Sequence, residues 1–282
     1  MMGNLDGKVA FVTGAARGQG RSHAVRLASE GADIIAVDIC DQIGTVNYPL
    51  ATSDELAETV RQVEKLDRRI VASVADVRIR QQLTEAVAEG LTQFGRLDIV
   101  VANAGIFPGQ GGSRCEAFID ATDVDLIGVM NTVAVSLPHL QAGASIIVTG
   151  STAGMIEGAT EKLGPGGSGY SWAKQTIARY VEVLALHLAP QSIRLNAIHP
   201  TNCNTLLLHN IDVYKAFRPD LEEPTREDVV DAFPAMQAMP IPYIEPIDIS
   251  NIVAFLASEQ SRYMTGVNLR VDAGAMLKPA PV

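Results

Sequence analysis

The 282-residue chain has few cysteines and no long uninterrupted apolar run. Its three cysteines, Cys40, Cys115 and Cys203, are an odd number without CxxC spacing. This pattern argues against a disulfide framework and favours reduced thiols. No apolar stretch approaches the roughly 20 residues that span a bilayer, and the N-terminal stretch lacks the regions of a signal peptide. We therefore expect a cytoplasmic protein without a membrane-spanning segment.

Positive charge is also scarce. The chain has 22 Lys and Arg against 32 Asp and Glu, which gives a net charge of −10 at pH 7. This balance argues against broad binding to nucleic acids or anionic membranes, although it leaves local phosphate binding open. The histidines lack metal-ligand spacing, so no metal site is expected. With 47% hydrophobic residues the chain can bury one large core.

Short apolar runs alternate with helical patterns along the chain. The length and composition of these runs are typical of strands that are covered on both faces. The predicted strands are residues 9–12, 34–37, 70–75, 99–102, 145–149, 193–198 and 267–271. The alternation predicts an α/β, single-domain Rossmann fold over residues 1–282, with a doubly wound parallel sheet of about seven strands and helices on both faces.

Two segments are longer than the connections that such a fold needs. Residues 39–52 separate the second strand from a predicted capping box of Thr52 and Glu55. This segment, here called the cover, is long enough to fold over a neighbouring part of the molecule. Residues 203–243 contain five prolines among aromatic residues and methionines. This composition fits a helical lid over an apolar substrate, and the segment is called the lid below. An ordinary surface excursion or a subunit contact is the alternative.

A glycine-rich segment follows the first strand. Gly14, Gly18 and Gly20 let the backbone turn sharply and approach a pyrophosphate, whose charge the N-terminus of the next helix favours. Asp38 ends the second strand, where a carboxylate can accept both hydroxyls of the adenosine ribose, so NAD is expected. Arg17 is the opposing signal, because a guanidinium can accept the 2′-phosphate of NADP. A simple turn and a strand-end cap are the alternatives without a ligand.

Tyr170 and Lys174 are four residues apart, so a helix would place both side chains on one face. Lowering a tyrosine pKa from about 10 to about 7 requires about 4 kcal/mol. One ammonium ~4 Å away, at an effective dielectric constant of 20, supplies about that much. Tyr170 can then act as a general base in alcohol oxidation and as a general acid in the reverse direction. On its own the pair would be an ordinary helix surface, and its meaning depends on context.

That context resembles the short-chain dehydrogenase/reductase family over essentially the whole chain. The matching motifs are Thr13-Gly14-x-x-x-Gly18-x-Gly20, Asn103-Ala104-Gly105, Ser151-Thr152-Ala153-Gly154 and Tyr170-x-x-x-Lys174. The resemblance implies that Ser151 orients and polarises the substrate oxygen while Tyr170 exchanges its proton. It also implies that Lys174 holds the nicotinamide ribose and lowers the tyrosine pKa. The expected substrate is a small apolar secondary alcohol or ketone.

The resemblance further implies a set of residues that bind NAD. These are Gly14, Arg17, Gly18, Gln19, Gly20, Asp38, Ile39, Asp76, Val77, Asn103, Ala104, Gly105, Tyr170, Lys174, Ile198, Pro200, Thr201, Asn202 and Thr205. His199 has two open readings, one facing the cofactor and one in packing. Family members are homotetramers, so helices around residues 114–138 and 170–189 are expected in one interface.

A narrower resemblance is to the mycofactocin-associated, carveol-dehydrogenase-like branch of the family. It depends on residues 18–24, the cover, and residues 199–201, 217–221 and 271–274. In that branch the insertion covers an NAD that exchanges poorly with solution, and electrons pass to the peptide-derived cofactor mycofactocin. An ordinary dehydrogenase with freely exchanging NAD(P)H, or a nucleotide-binding redox sensor without turnover, is the alternative.

The chain departs from the family pattern at Asp125, where the family usually has asparagine. An ionised carboxylate only accepts hydrogen bonds, whereas an amide also donates them. At ~7 Å from the phenol and a dielectric constant of 20, a carboxylate would raise the tyrosine pKa by about one and a half units, or less if it pairs with Lys174. We therefore expect Asp125 to influence catalysis, through a more alkaline oxidation optimum or as a protonated side chain. The interval from Ser151 to Tyr170 is also unusually long, and its glycine-rich residues 164–169 predict a flexible flap.

Overall fold

The computed structural model describes residues 3–109 and 115–278. The ends of the predicted domain and residue 114 of the predicted interface range lie outside these residues. The described residues form a seven-stranded sheet in the order β3-β2-β1-β4-β5-β6-β7, and all neighbouring strands are parallel. The strands are β1 (Val9–Thr13), β2 (Asp33–Asp38), β3 (Ile70–Val74), β4 (Ile99–Ala102), β5 (Ser145–Thr149), β6 (Arg194–Pro200) and β7 (Asn268–Val271). The predicted fold class is confirmed.

Helices cover both faces of this sheet. In the described ranges they are α1 (Gly18–Ser29), α2 (Ser53–Glu64), α3 (Arg80–Phe94), α4 (Cys115–Thr122), α5 (Val129–Ser136), α6 (Gly164–Leu188), α7 (Ile211–Phe217), α8 (Arg226–Val229) and α9 (Pro246–Ala257). One apolar core joins the sheet to α1, α2 and α9, and a second joins it to α3, α5 and α6. None of these helices has both the length and the apolar character required to cross a bilayer.

The strand order determines where a ligand can enter. The central strands β1, β2, β4 and β5 are buried at every position, which explains why their sequences are apolar except at the strand ends. The chain leaves β1 toward β2 and β3 on one side and later returns to β4 on the other. Since the connections diverge at this point, a crevice opens beyond the carboxyl ends of β1 and β4. The glycine-rich segment and residues 103–105 both follow these strand ends.

The predicted flap before Tyr170 is wrong. Residues 164–169 form the first turns of α6, and a 3₁₀ turn, Glu161–Leu163, precedes them. A Cβ atom on Gly166 would lie 1.7 Å from the carbonyl oxygen of Pro108, and one on Gly169 would lie 2.6 Å from that of Phe118. The glycines here permit close packing of α6 against neighbouring backbone, and their helical conformation is set by those tertiary contacts.

Candidate active site

A cavity of about 910 Å³ opens at the carboxyl ends of the strands. The predicted cofactor residues that line it are Gly14, Arg17, Gly18, Gln19, Gly20, Asp38, Ile39, Asp76, Val77, Asn103, Ala104, Gly105, Tyr170, Lys174, Pro200, Thr201, Asn202 and Thr205. The catalytic candidates Ser151 and Asp125 line it too. Ile198 was also predicted to frame the nicotinamide, but it is 1% exposed and its side chain packs in the core. The cavity thus brings together nearly all residues that the sequence indicated.

The glycine loop has the shape that a dinucleotide requires. A Cβ atom on Gly20 would lie 1.9 Å from the carbonyl oxygen of Gly14, and Gly14 has a φ of +66°, which favours glycine. The loop leads into the N-terminus of α1, where backbone N–H groups favour an anion. Among the described residues, the buried atoms Gln19 Oε1 and Asn202 Nδ2 have no hydrogen-bond partner. Both residues line the cavity, so polar ligand groups would satisfy them.

Asp38 lies at the end of β2 with 8% of its surface exposed. One carboxylate oxygen accepts a hydrogen bond of 3.0 Å from the backbone N–H of Ala16, and the other accepts one of 3.3 Å from that of Cys40. Burial raises the pKa of Asp38, and these two N–H donors act against that rise. The two backbone bonds fix the orientation of the carboxylate, and each oxygen keeps a lone pair for a further donor such as a ribose hydroxyl.

Arg17 does not remain free to receive a 2′-phosphate. Its guanidinium donates to the carbonyl oxygen of Pro49 in the cover and forms an ion pair of 3.7 Å with Glu55 in α2. Arg17 therefore ties the glycine loop to the cover. This geometry favours the NAD reading, which was based on Asp38, over the opposing signal from Arg17.

Asn103 joins the ends of three strands. Its amide nitrogen donates to the carbonyl oxygen of Thr13 at the end of β1 at 3.0 Å, and its amide oxygen accepts from the hydroxyl of Thr149 at the end of β5 at 3.3 Å. This arrangement explains why an asparagine follows β4 directly. Asp76 borders the same crevice, with its carboxylate held by the guanidinium of Arg78 at 2.7 Å.

Ser151 follows β5 and Tyr170 lies in the first half of α6, and both residues line the cavity. Ser151 Oγ accepts a hydrogen bond of 3.1 Å from the N–H of Ala153, and Ser171 Oγ donates to the Ala153 carbonyl at 2.8 Å, which anchors α6 to this turn. Tyr170 is 8% exposed, and the ring of Phe107 stands edge-on to it with the centroids 5.2 Å apart. Burial raises the pKa of Tyr170, while Lys174 lowers it, Asp125 raises it, and a hydrogen bond with Ser151 lowers it.

Lys174 and Asp125 form a buried ion pair. The Nζ atom of Lys174 lies 3.0 Å from Asp125 Oδ1 and donates to the carbonyl oxygen of Thr149 at 3.0 Å. The other carboxylate oxygen of Asp125 accepts from the N–H of Ile106 at 3.2 Å. Burial lowers the pKa of Lys174, but the negative charges of Asp125 and Tyr170 outweigh this and raise it. An ammonium has three donors, so one N–H remains for a bound ligand.

The position of Asp125 depends on two local features. It lies in a π-helical turn, Asp123–Gly128, between α4 and α5, an arrangement that often occurs at functional sites. A Cβ atom on Gly105 would lie 2.6 Å from Asp125 Oδ1, so the glycine of the Asn-Ala-Gly motif makes room for this carboxylate. Burial raises the pKa of Asp125, and the attraction of Lys174 and the Ile106 N–H oppose that rise.

His199 supports the serine turn and does not line the cavity. Its Nδ1 atom lies 3.2 Å from the backbone N and O atoms of Ser151, and its Nε2 atom lies 2.9 Å from Asn268 Oδ1. Burial lowers its pKa, which favours the neutral ring. The packing alternative for His199 is therefore correct. Within the described residues, no group of three His, Cys, Asp or Glu side chains is arranged to hold a metal ion.

The part of the cavity beside Ser151 and Tyr170 is mainly apolar. Its lining side chains, from the lid and from the segment between Ser151 and α6, include Ile156, Leu163, Leu207, Val213, Phe217 and Met236. The sequence indicated an apolar lid but none of these contacts individually. Phe107 and Tyr48 were also missed, although Tyr48 is the one aromatic residue of the cover and its apolar ring was a signal for a buried anchor. The site can accept a compact hydrophobic molecule with an oxygen directed at Tyr170.

Comparisons with known proteins agree with this geometry. A family model described as enoyl-(acyl carrier protein) reductase matches residues 14–276. The chain is 44% identical to (−)-trans-carveol dehydrogenase of Rhodococcus erythropolis, over 98% of this chain and 100% of that protein. It is 33% identical to cyclohexanol dehydrogenase of Rhodococcus sp. strain TK6, over 96% of each. A crystal structure of carveol dehydrogenase from Mycobacterium avium in complex with NAD superposes with a TM-score of 0.91 at 46% identity, covering 98% of this chain and 100% of that one.

Proposed function

The chain belongs to the short-chain dehydrogenase/reductase family, and we propose that it is an NAD-dependent oxidoreductase that interconverts a secondary alcohol and a ketone. The observation that carries this proposal is the placement of Tyr170, Lys174 and Ser151 in the same cavity as Asp38 and the glycine loop. NAD-bound relatives of nearly full coverage support the choice of nucleotide. Relatives that act on carveol and cyclohexanol support an alicyclic alcohol as substrate.

Each catalytic side chain has a defined task in this proposal. NAD, when bound, supplies the hydride acceptor or donor, and the free N–H of Lys174 would hold its nicotinamide ribose. The Ser151 hydroxyl orients the substrate oxygen, and Tyr170 removes the hydroxyl proton during oxidation and returns it during reduction. The apolar walls exclude water from the reacting oxygen. Burial raises the pKa of Tyr170, and the Lys174 ammonium opposes that rise by stabilising the phenolate form.

We propose further that NAD is held tightly and that the physiological electron acceptor is mycofactocin. The support for tight binding is that the cover lines the same cavity and is tied to the glycine loop through Arg17 and Pro49. Contacts that must break before dissociation slow the release of a ligand. A cofactor that stays bound must be reoxidised in place, which is why a second redox partner is needed.

We also place the enzyme in the cytoplasm as a homotetramer. The three cysteines are unpaired thiols, which suits a reducing compartment. Large apolar side chains are exposed on the helices that family members use for assembly, with Ile119 of α4 at 55%, Trp172 of α6 at 46% and Leu186 of α6 at 73%. Exposed apolar surface of this kind is typical of subunit contacts.

The proposed activity has a direct test in the purified protein. We expect denaturing extraction to release NAD(H) in about one equivalent per chain. Each member of a panel of alicyclic alcohols is then added to the native protein. An alcohol that is a substrate should give a single turnover, seen as an increase in the absorbance of the reduced nicotinamide. Protein that releases no NAD(H) and binds none on addition would contradict the proposal. Rapid exchange of the bound nucleotide would instead favour an ordinary dehydrogenase.

Nucleotide selectivity depends on Asp38. Replacing Asp38 by serine should weaken NAD binding by about tenfold or more, because hydrogen bonds to a charged group contribute about 1.5–3 kcal/mol. The same change removes a negative charge that opposes the 2′-phosphate, so NADP binding should improve. Titration of both nucleotides against the wild type and Asp38→Ser measures the ratio. Asp33→Ser is the matched control, because it removes a carboxylate at the other end of β2 that is paired with Arg69 and lies outside the cavity, so it should leave the ratio unchanged.

A further inference from the structure

Two adjacent residues of the cover reach two different parts of the site. Tyr48 is 6% exposed, and its hydroxyl accepts a hydrogen bond of 3.1 Å from the N–H of Phe107. The Phe107 ring in turn stands at 85° to the ring of Tyr170, with the centroids 5.2 Å apart. Tyr48 therefore contacts the segment that packs directly against the catalytic tyrosine.

Asn47 contacts the lid. Its side-chain amide donates to both carboxylate oxygens of Asp212, at 3.2 and 3.0 Å. Asp212 lies in the first turn of α7 and is 4% exposed. Within the described residues, Asn47 is the one side chain that donates a hydrogen bond to this carboxylate. The next residue of α7, Val213, packs on the cluster formed by Phe107 and Tyr170.

We propose that Asn47 and Tyr48 form a clasp that joins the cofactor cover to the substrate lid and to the segment behind Tyr170. With the clasp closed, NAD cannot leave until the lid opens, and the catalytic tyrosine is held in place by the same contacts. This inference rests on the proposed function, because it assigns a role to the cover of an NAD site. Neither residue touches the reacting atoms, so both are positioning residues.

The physical basis of the coupling is the buried carboxylate. If the cover lifts while the lid stays closed, Asp212 loses its side-chain donor and gains no water in exchange. A buried acceptor left unsatisfied in this way costs more free energy than a hydrogen bond broken with both groups in water. The favourable route is for α7 to move away together with the cover, so that water reaches both groups. A substrate that stabilises the closed lid must then tighten NAD binding, and bound NAD must tighten substrate binding by the same factor. We expect the tighter NAD binding to be expressed mainly as slower NAD release.

The coupling predicts a specific response to a ligand in the lid. With NAD⁺ bound, cyclohexanone is an unreactive occupant of the substrate site, and we expect it to slow NAD⁺ release from the wild type several-fold. In Asn47→Ala, NAD⁺ release should be about tenfold faster, and cyclohexanone should no longer slow it. Release is measured by chasing bound NAD⁺ with an excess of a fluorescent etheno analogue, with and without the ketone.

Thr45→Val is the matched control. The Thr45 hydroxyl ties the cover to α4 through Asp120 at 2.6 Å, but it does not contact the lid. This variant should release NAD⁺ faster than the wild type and still respond to cyclohexanone. Asp212→Ala removes the acceptor of the same contact from the lid side and should behave like Asn47→Ala. An equal response to the ketone in Asn47→Ala and the wild type would overturn the coupling, whereas a wild type that binds no NAD would overturn the proposed function instead.

Tyr48 is tested through the kinetic constants. Tyr48→Phe keeps the ring and removes the acceptor for the Phe107 N–H. In single turnovers of the NAD-loaded protein, whose maximal rate constant is here called kcat, we expect kcat for a cyclohexanol-type alcohol to fall about tenfold. The alcohol concentration that gives half the maximal rate, here called KM, should change less than about twofold, because the substrate walls remain and only the orientation of Tyr170 is loosened. An unchanged kcat would remove Tyr48 from the clasp. If Tyr48 only stabilised the fold, Tyr48→Phe would unfold more readily, but its folded fraction would keep the kcat and KM of the wild type.

Discussion

Tyr170→Phe should lower kcat for alcohol oxidation by about 10²–10⁴-fold, which is the contribution of a positioned general acid or base. The substitution removes the hydroxyl that we propose exchanges a proton with the substrate oxygen, and it keeps the aromatic ring. The edge-on contact with Phe107 should therefore persist, and so should the fold of α6. The measurement is single-turnover nicotinamide absorbance, together with the NAD content of the purified variant.

A comparison with two neighbouring variants makes this result specific. Ser151→Ala keeps the general base and removes the orienting hydroxyl, so its loss of kcat should be smaller than that of Tyr170→Phe. Tyr180→Phe removes a half-buried phenol from the same helix outside the cavity and should leave kcat unchanged. If Tyr170→Phe retained full conversion with bound NAD, the proton would have to be exchanged by another group and the proposed mechanism would be wrong.

The parts of this site that sequence predicts well are local. The glycine loop, the end of β2 and the start of β4 are each fixed by a buried strand and the few residues that follow it. Parallel strands place those residues at one edge of the sheet regardless of the intervening chain. For the same reason, residues as distant as Gly14, Asn103 and Thr205 line one cavity, as the motifs indicated.

The parts that sequence predicted poorly depend on long-range contacts. Residues 164–169 are glycine-rich and were expected to form a flap, but backbone packing against Pro108 and Phe118 holds them in α6. The contact between Asn47 and Asp212 joins residues 165 positions apart, and no local pattern in either segment indicates it. The bounds of the cover could be predicted because the segment between β2 and α2 is unusually long. The residues that anchor the cover could be identified only from the structure.

The ion pair of Asp125 and Lys174 was predicted only in part from the sequence. The sequence showed a carboxylate where the family has an amide and left open whether it was ionised or protonated. The structure places it 3.0 Å from an ammonium and in contact with a backbone N–H, with none of its surface exposed. Both donors favour the ionised form, although burial opposes it. Its charge is then the feature that distinguishes this site from the family pattern.

Asp125→Asn should shift the pH profile of oxidation toward lower pH by about one unit. In the proposed mechanism oxidation requires the phenolate of Tyr170, so its rate rises with pH through the pKa of that group. The negative charge of Asp125 raises this pKa, both directly and by offsetting Lys174. Removing the charge lowers the pKa, and the rate at neutral pH should increase several-fold provided that Lys174 stays in place. The measurement is the single-turnover rate from pH 6 to pH 10 in both proteins.

Other charged or titratable groups near Tyr170 do not produce this shift. Tyr48 is buried and its pKa is raised, and the neutral ring of His199 lies behind Ser151, so neither changes charge in this range. Asp125→Ala removes the whole carboxylate and leaves Lys174 without its partner. This variant should therefore lose about 3–5 kcal/mol of its free energy of unfolding, measured by chemical denaturation. Asparagine keeps an acceptor for Lys174 or Ile106 and should cost less. If Asp125→Asn left the pH profile unmoved, Asp125 would be protonated in the native site, and Lys174 would then act on Tyr170 without an opposing charge.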